Sequence, residues 1–557
     1  MGISLLSKVR IIVPKDELEE VLASLFEFEE FHPSEETPFY EEFRVVKLKS
    51  EAFELYSALN NTIIRLEQTY DFKPYIESAR KVVIKADNWT ELLDQITSRQ
   101  GKINAKLACK IKLNEMDIIN LLALREAAFA TFNALRRIRI KHELKYTLLI
   151  EGYIPTKSEG KFKEQFSRWC YEIQQVRRDE KAPYVPTLLT NPKFIKLFEE
   201  ITVAQGIPKY REIDPTPFVA FVFPLFYGIM FPDLGQGILL IIFGKLVSMR
   251  KKREYKYWGK MMMTFGISAS MVGVITGSLF GLEIGDFLAL PSLKIIEGTT
   301  ISIDTVMTII IITVIIGTYH LALAYFIAML NKVRTKEYAD AFTNHLATLV
   351  MYASSILFAL SFIGSGYSYN QLFSTNNPLP VISSLLGFFV PSSIVALISL
   401  PLLVASVLAI ILGRAIASLK KHEFRAKLTQ GLTDVVFKPT EFLTNTISYS
   451  RLGIFLVMHS ALMGLVNSAW SYGISGLPLI ILGNIVVMAL EGFLVYIQDL
   501  RLHMYEWFTK FHEGGAYQFT FLRPETEFVE IRFTRNNHLH DEVNTFIAPV
   551  LQLSRNA

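Results

Sequence analysis

From Thr216 to Phe508 the sequence consists of long apolar segments separated by short polar loops, and this pattern restricts the fold more than any other feature. A helix that crosses the hydrocarbon core of a bilayer needs about 20 predominantly apolar residues. Eight segments predict an all-α polytopic membrane domain with about eight transmembrane helices. The segments are 216–230, 234–249, 261–282, 305–330, 342–366, 392–413, 441–465 and 477–510.

The first two and the last of these segments have unusual lengths. The first two are short and are separated only by FPDLG, so they are expected either to cross separately or to form one broken hairpin whose turn carries Asp233. At about 1.5 Å per residue the last segment would reach roughly 50 Å, against a hydrocarbon core of about 30 Å. It is therefore predicted to tilt or to extend beyond the membrane.

Lysine and arginine collect in alternate loops, as they do on the cytoplasmic side of membrane proteins. The loops after the second, fourth and sixth segments are basic, whereas the intervening loops contain only Lys294. If the number of spans is even and both termini lie in the cytoplasm, every basic loop falls on the cytoplasmic side. The absence of a signal peptide at the start of the chain leads to the same expectation for the N-terminus.

The part of the chain before residue 210 is densely charged, so the hydrophobic share of 51% averages two different domains. Strand-like SLLSKVRIIVP, ARKVVIKAD and YTLLIEGYIP, with helical KDELEEVLASLFEFEEF, predict a cytoplasmic α/β domain. Helices over 50–70 and 114–141 are expected to form an antiparallel arm, or equally to pack as surface helices on the α/β lobe. The predicted domains are 1–210, 211–512 and a cytoplasmic tail, 513–557.

Composition and motifs exclude several classes of function. The net charge of +4 comes from basic loops between apolar segments, which favours membrane orientation over nucleic-acid binding. Two cysteines, Cys109 and Cys170, support neither a disulfide framework nor a thiolate zinc site. Nucleotide-binding and hydrolytic motifs are absent from the sequence, and His142, His320 and His345 lack ligand spacing. We expect no metal, no cofactor and no catalytic activity of the chain alone.

Polar residues form a stripe on the seventh apolar segment. On a helical wheel Glu441, Asn445, Ser448 and His459 share a face, with Arg451 at its edge. Burying an arginine at mid-bilayer costs about 2.5 to 3.5 kcal/mol on insertion scales, so such residues usually face protein or water and have a function. The stripe predicts the wall of a water-filled or proton-conducting cavity.

The eighth segment carries a second polar set. Glu491 and Gln498 share a face, Arg501 lies about one turn beyond, and Asp499 and His503 lie beside Arg501. Because Glu491 is flanked by VVMAL and GFLVYI, we expect its carboxyl group to be protonated, paired with a cation or exposed to water.

These residues also have structural explanations. Arg501 and, if its helix begins later, Arg451 could extend to the lipid headgroups, as long basic side chains do near helix ends. His459, taken alone, fits equally well as a hydrogen-bonded core histidine. The sequence alone leaves these alternatives open.

Five stretches, in order, resemble the membrane-embedded stator subunit of rotary V-type and A-type ATPases, called subunit a or, in prokaryotes, subunit I. The resemblance covers most of 208–515, and IEGYIPTK followed by PTLLTNP resembles the end of the family's soluble domain. The five stretches are PKYREIDPTPFVAFVFPLFYGIMFPDLGQG, GSLFGLEIG, IIGTYHLALAYFIAMLN, NTISYSRLGIFLVMHSAL and LEGFLVYIQDLRLHMYEWFTKFHEGG.

The resemblance implies roles for individual residues. Arg451 and Arg501 match the two arginines on the family's long tilted helices, which face a ring of proteolipid subunits, and His459 and Glu491 match polar positions of its ion half-channels. Glu441 has no firm counterpart. Peripheral-stalk and central-stalk subunits are the other implied partners, with the bilayer of a prokaryotic cell as the location. A guanidinium stays charged when desolvated and favours an ionised rotor carboxylate.

Three features depart from the family pattern. Pro232 replaces the usual glycine before Asp233, the soluble domain is short, and the residues after Gly515 have no counterpart in the recognised motifs. Two other functions remain alternatives: a secondary ion-coupled transporter, although no internal repeat is evident, and a structural membrane anchor for a cytoplasmic complex.

Overall fold

The structure, a computed structural model, describes residues 2–35, 43–67, 70, 82–138, 140–143, 145–178, 184–250, 252–283, 303–369, 371–373, 377–379, 389–417, 424–522, 526 and 528–533. The chain divides into two compact units. The N-terminal unit comprises Ser4–Leu188 together with the chain from Tyr517 onward, and the helical unit comprises Met1–Ile3 and Leu189–Ala516. The limits predicted from the sequence, at 210 and 512, differ from these.

The described strands are β1 (Gly2–Ile3), β2 (Leu6–Pro14), β3 (His32–Pro33), β4 (Val82–Ala86), β5 (Ile140–Glu143), β6 (Thr147–Pro155), β7 (Cys170–Gln175), β8 (Leu189–Thr190), β9 (Ser278–Leu279), β10 (Leu282–Glu283) and β11 (Val529–Phe533). The described α-helices are α1 (Leu18–Phe28), α2 (Phe43–Leu66), α3 (Trp89–Ala108), α4 (Glu115–Arg137), α5 (Glu159–Gln165), α6 (Lys193–Lys196), α7 (Glu199–Gln205), α8 (Thr216–Met230), α9 (Leu234–Ser248), α10 (Arg253–Thr276), α11 (Ile303–Arg334), α12 (Tyr338–Asp340), α13 (Ala347–Gly364), α14 (Ser392–Ala417), α15 (Phe424–Ser448), α16 (Ser450–Asn467) and α17 (Leu477–Arg501).

A five-stranded sheet forms the centre of the N-terminal unit, in the order β3-β6-β2-β7 with β5 on β6. Alternate residues Val9, Ile11 and Val13 of β2 are buried, which fixes which face of the strand meets the core. Gly152 on β6 lies directly against Phe31, whose ring would be 2.2 Å from an added Cβ atom. The predicted α/β character of this part of the chain is confirmed.

The predicted antiparallel helical pair is also present. Phe53 and Phe132 have ring centroids 5.3 Å apart, and Tyr56 and Phe129 have centroids 4.9 Å apart, so α2 and α4 run in opposite directions. Their buried side chains belong to the same core as the sheet, so the pair is packed on the lobe. The second helix ends at Arg137, earlier than predicted, because residues 140–143 pair with β6.

The end of the described chain belongs to the N-terminal unit. Strand β11 pairs in parallel with β4, in a register that places Val529 beside Val82 and Phe533 beside Ala86. The sequence had offered no account of this segment. The partner strand lies more than 400 residues away, so no local pattern indicates this pairing.

In the helical unit all eight predicted apolar segments lie largely within helices. The last one is helical throughout, as α17, a π-helical turn over Leu502–Trp507 and a 3₁₀ turn over Phe508–Lys510. Among the described residues five helices are long and apolar enough to cross a membrane, and α8 and α9 are shorter apolar helices. One of the five is α4, a core helix of the N-terminal unit, so the count of eight spans stays a prediction.

Close packing of α9 against α10 depends on glycine. An added Cβ atom at Gly266 would lie 2.6 Å from the carbonyl oxygen of Gly237, and one at Gly259 would lie 2.6 Å from that of Gly244. Small residues at seven-residue spacing let helix backbones approach in lipid, where van der Waals packing replaces the hydrophobic effect as the main source of association.

Candidate polar site in the helical unit

Two layers of polar side chains lie between α16 and α17. Arg451 and His459 are eight residues apart on α16, about 12 Å along the axis. Arg451 contacts Gln498 and Glu506, whereas His459 contacts Glu491, so the two helices run in opposite directions. The structure thus brings together four of the residues singled out in the sequence and adds Glu506.

The first layer is a buried histidine between two carboxylates. The Nδ1 atom of His459 lies 2.9 Å from Oε2 of Glu491, and its Nε2 atom lies 3.9 Å from Oδ2 of Asp233. All three side chains are almost completely inaccessible to solvent. A charged group in such a place needs an opposite charge or hydrogen bonds. Glu491 supplies a hydrogen bond to His459, whereas Asp233 lies within ion-pair distance only.

Asp233 is held in place by its position at the start of α9. Its carboxylate accepts hydrogen bonds from the backbone N–H groups of Gln236, Phe280 and Gly281, at 2.8, 3.0 and 2.8 Å, and from the Ser278 hydroxyl at 3.1 Å. The turn between the two short apolar segments is therefore a helix cap. The sequence pointed to Asp233 as a turn residue but not as a partner of His459.

The second layer centres on Arg451, whose side chain is 19% exposed. Its Nη2 atom donates to Oε1 of Glu506 at 2.6 Å, and its Nη1 atom donates to Oε1 of Gln498 at 3.4 Å. Glu506 lies in the π-helical turn, which changes the direction of side chains relative to a regular helix. A helical wheel of constant 100° steps could not place Glu506, and this explains why it was missed.

Arg501 has a different environment. Its side chain is exposed, and among the described residues it has no ion-pair partner within 4 Å. It shares a face of the last helical segment with Phe493, Ile497 and Tyr505, which are 63%, 39% and 70% exposed. This arginine therefore stands in an outward-facing apolar surface.

The predicted stripe from Glu441 to His459 is interrupted, because α15 ends at Ser448 and α16 begins at Ser450. Glu441 is 47% exposed and contacts Lys510, far from His459 along the helix pair. Asn445 and Ser448 are partly buried on α15. The break occurs at Tyr449, which is fully buried and whose carbonyl oxygen accepts a hydrogen bond from Leu452 N at 3.0 Å.

His503 belongs to a further buried cluster. Its Nδ1 atom lies 3.1 Å from the carbonyl oxygen of Asp499 and 3.2 Å from its Oδ1 atom. Its ring centroid is 5.4 Å from that of His320, and His320 Nδ1 lies 2.8 Å from the Tyr449 hydroxyl oxygen. His320, which the sequence left aside, thus joins the polar interior.

Within the described ranges no group of three or more His, Cys, Asp or Glu side chains could hold a metal ion. The helical unit is best classified as a multi-pass membrane unit whose apolar helices enclose paired charged groups. Such groups are expensive inside a membrane and mark ion pathways or proton relays in many proteins.

Comparison with known proteins identifies sequences that this chain resembles. Residues 44–272 match the V-type ATPase 116kDa subunit family. The A-type ATP synthase subunit I of Saccharolobus solfataricus is 27% identical over 77% of this chain and 67% of its own length. That of Methanocaldococcus jannaschii is 26% identical over 69% of this chain and 56% of its own length. The V-type ATP synthase subunit I 2 of Treponema pallidum is 36% identical over 20% of this chain and 24% of its own length.

These matches confirm the resemblance to subunit a/I of the V/A-type ATPases that was drawn from the motifs. The aligned parts cover between 56% and 67% of the length of these archaeal proteins. The chain thus spans only about three fifths of the relatives that it matches.

Proposed function

We propose that this chain is the membrane stator subunit of a rotary V/A-type ATPase or ATP synthase, and that it couples translocation of a proton or a sodium ion to rotation of a proteolipid ring. It carries no catalytic site of its own and works only in the assembled complex. The observation that supports this most directly is the pair of arginines on α16 and α17, one within the polar layers and one in the outward apolar surface.

The two arginines have complementary positions for this task. Arg501, on the exposed apolar surface, is available to meet a ring carboxylate, and Arg451 is held between the helices by Glu506 and Gln498. A guanidinium remains protonated when desolvated, so it favours the ionised form of an arriving carboxylate. The same fixed charge repels a cation that would otherwise pass directly between two half-channels, and net flow then requires rotation.

The polar residues divide into two sets suited to separate half-channels. One set is His459, Glu491 and Asp233, in the layer farther along α16 from Arg451. The other is Glu441, Asn445 and Ser448 on α15, together with Gln498 and His503 near the other end of α17. Offset half-channels on the two sides of Arg451 prevent a continuous leak path.

The remaining parts of the proposal concern partners and location. The partners are the proteolipid ring, the peripheral stalks, a central-stalk subunit and the lipid bilayer of a prokaryotic cell. Both termini are assigned to the cytoplasm. This assignment is supported by chain connectivity, because Leu189 and Ala516, the two ends of the long part of the helical unit, both continue into the same N-terminal unit. An even number of membrane crossings between Leu189 and Ala516 returns the chain to the side on which it started.

The test is ATP-driven acidification by the purified complex in vesicles, with and without a sodium gradient. We expect Arg451→Ala to abolish ATP-coupled pumping while the complex still assembles. Intact pumping by this variant would favour a purely structural anchor. Isolation of the native chain without a small proteolipid would favour a secondary transporter instead.

A further inference from the structure

The described residues of the segment Tyr517–Phe533, which are 517–522, 526 and 528–533, belong to the N-terminal unit, and no function has so far explained them. Thr187 N donates to the carbonyl oxygen of Tyr517 at 2.8 Å, and Phe519 N donates to that of Thr187 at 3.0 Å. Further along, Leu522 N donates to the carbonyl oxygen of Glu29 at 3.2 Å. The backbone of this segment is therefore paired before it reaches β11.

The side chains of the segment complete the core of the N-terminal unit. Phe533 packs against Trp89 and Phe26, with ring centroids 4.9 and 5.9 Å apart. The buried apolar side chains contributed by the segment are Phe519, Leu522, Phe528, Val529, Ile531 and Phe533. A segment that buries this many apolar groups is an integral part of the folded unit.

Two carboxylates satisfy the backbone where β11 begins and ends. Glu126 on α4 accepts hydrogen bonds from Phe528 N at 2.6 Å and from Val529 N at 3.1 Å. Glu27 on α1 accepts one from Phe533 N at 3.1 Å. Strand β11 thus has β4 on one side and charged acceptors at both ends, which fixes its register.

We propose that the segment Tyr517–Phe533 is a second mechanical connection between the two units, and that it carries reaction torque. This inference rests on the proposed stator function. The chain passes between the units at Leu188/Leu189 and again at Ala516/Tyr517. The crossing at Ile3/Ser4 lies beside the first of these, because β1 pairs with β8. One covalent connection lets a domain swivel about a single backbone, whereas two separate connections to one rigid body oppose rotation.

The docking of the segment is tested by a protease site inserted between Ala516 and Tyr517 of the full chain in the assembled complex. After cleavage under native conditions we expect the fragment beginning at Tyr517 to stay bound during size-exclusion chromatography. Val529→Asp, or the milder Phe533→Ala if that variant is poorly produced, should release the fragment after cleavage. Arg532→Ala, at an exposed position of the same strand, is the control and should retain it. The docking would be overturned if the fragment with the natural sequence were released after cleavage. It would also be overturned if the fragment were retained in both Val529→Asp and Phe533→Ala.

The mechanical role is tested on the same cleaved complex in vesicles. We expect the number of ions moved per ATP hydrolysed to fall severalfold on cleavage at 516/517, with hydrolysis and assembly retained. Cleavage at a site inserted between Lys110 and Ile111, in an exposed loop inside the N-terminal unit, should leave the ratio unchanged. An unchanged ratio after cleavage at 516/517 would overturn the inference while leaving the stator function intact. Absence of ion movement in the uncut complex would instead overturn both.

Discussion

His459 and Glu491 join α16 to α17 by a hydrogen bond of 2.9 Å between Nδ1 and Oε2, and each side chain is only 2% exposed. His459 also lies 3.9 Å from Asp233, so the pair belongs to a buried polar layer between largely apolar helix surfaces. Removing one member of a buried pair leaves the other uncompensated, at a cost of about 3 to 5 kcal/mol. The pair is therefore both a structural link and a candidate step in ion transfer.

Glu491→Gln and His459→Ala should each give a partial pumping defect with an altered pH dependence, because each removes a titratable group from the proposed half-channel. The measurement is the initial rate of ATP-driven acidification over a series of pH values. Ser460→Ala is the matched control, since its hydroxyl only donates to the carbonyl oxygen of Leu456 in its own helix. If both charged-pair variants keep the wild-type pH profile, His459 and Glu491 are structural residues only.

Arg451→Lys should cause a severe loss of pumping although the charge is nominally kept. The guanidinium reaches Gln498 and Glu506 through two different nitrogen atoms, which a single ammonium group cannot reproduce. A lost charge-assisted hydrogen bond is worth about 1.5 to 3 kcal/mol, so the rate should fall by about tenfold or more. Arg425→Lys, at an exposed position of α15, is the control and should pump normally. Near-normal pumping by Arg451→Lys would contradict the role given to Arg451.

Asp117 should make the stability of the N-terminal unit depend on pH. Its hydrogen bond from Lys106, 2.7 Å long, and one from Asn114 N lower the pKa of this carboxyl group. Stabilisation by a carboxylate with a lowered pKa is present above its unfolded pKa, about 3.9, and is lost as the pH falls through the folded value. Asp117→Asn should therefore lower the free energy of unfolding by about 1 kcal/mol at neutral pH.

The difference in free energy of unfolding between the wild type and Asp117→Asn should disappear in acid, where residue 117 is uncharged in both proteins. Denaturant-dependent hydrogen exchange of α4 in the solubilised full chain measures it at each pH. Asp94→Asn, at an exposed position of α3, should show no such dependence. A constant difference between Asp117→Asn and the wild type at all pH values would show that the ion pair is not responsible.

Gly266→Ala should separate α9 from α10. The added methyl group would lie 2.6 Å from the carbonyl oxygen of Gly237, so the helix backbones must move apart, at a typical overpacking cost of about 1 to 3 kcal/mol. The thermal stability of the purified chain in detergent measures this effect. Gly464→Ala is the control, because an added Cβ atom there meets no atom within 4 Å. Equal stability of the two variants would contradict the close packing.

The sequence predicted helices and strands best where their pattern was local. Segment 216–230 coincides with α8, and α17 begins at Leu477, the predicted residue. Helix α3 was not predicted. The polar stripe from Glu441 to His459 stays a prediction, and the structure divides it between α15 and α16. The Tyr449 ring is fully buried and its hydroxyl lies 2.8 Å from His320, contacts that no local pattern reveals.

The sequence by itself determined the apolar segments, their basic loops and the family resemblance, because hydrophobic length, charge distribution and ordered motifs are properties of short stretches. It also picked out Arg451, His459 and Glu491, since charges among apolar residues are conspicuous. Only the tertiary structure decided that Glu506 and Asp233 are their partners and that β11 completes the N-terminal unit. Those pairings join residues between 55 and 447 positions apart, and the free energy that selects them comes from packing and mutual burial, which exist only once the chain has folded.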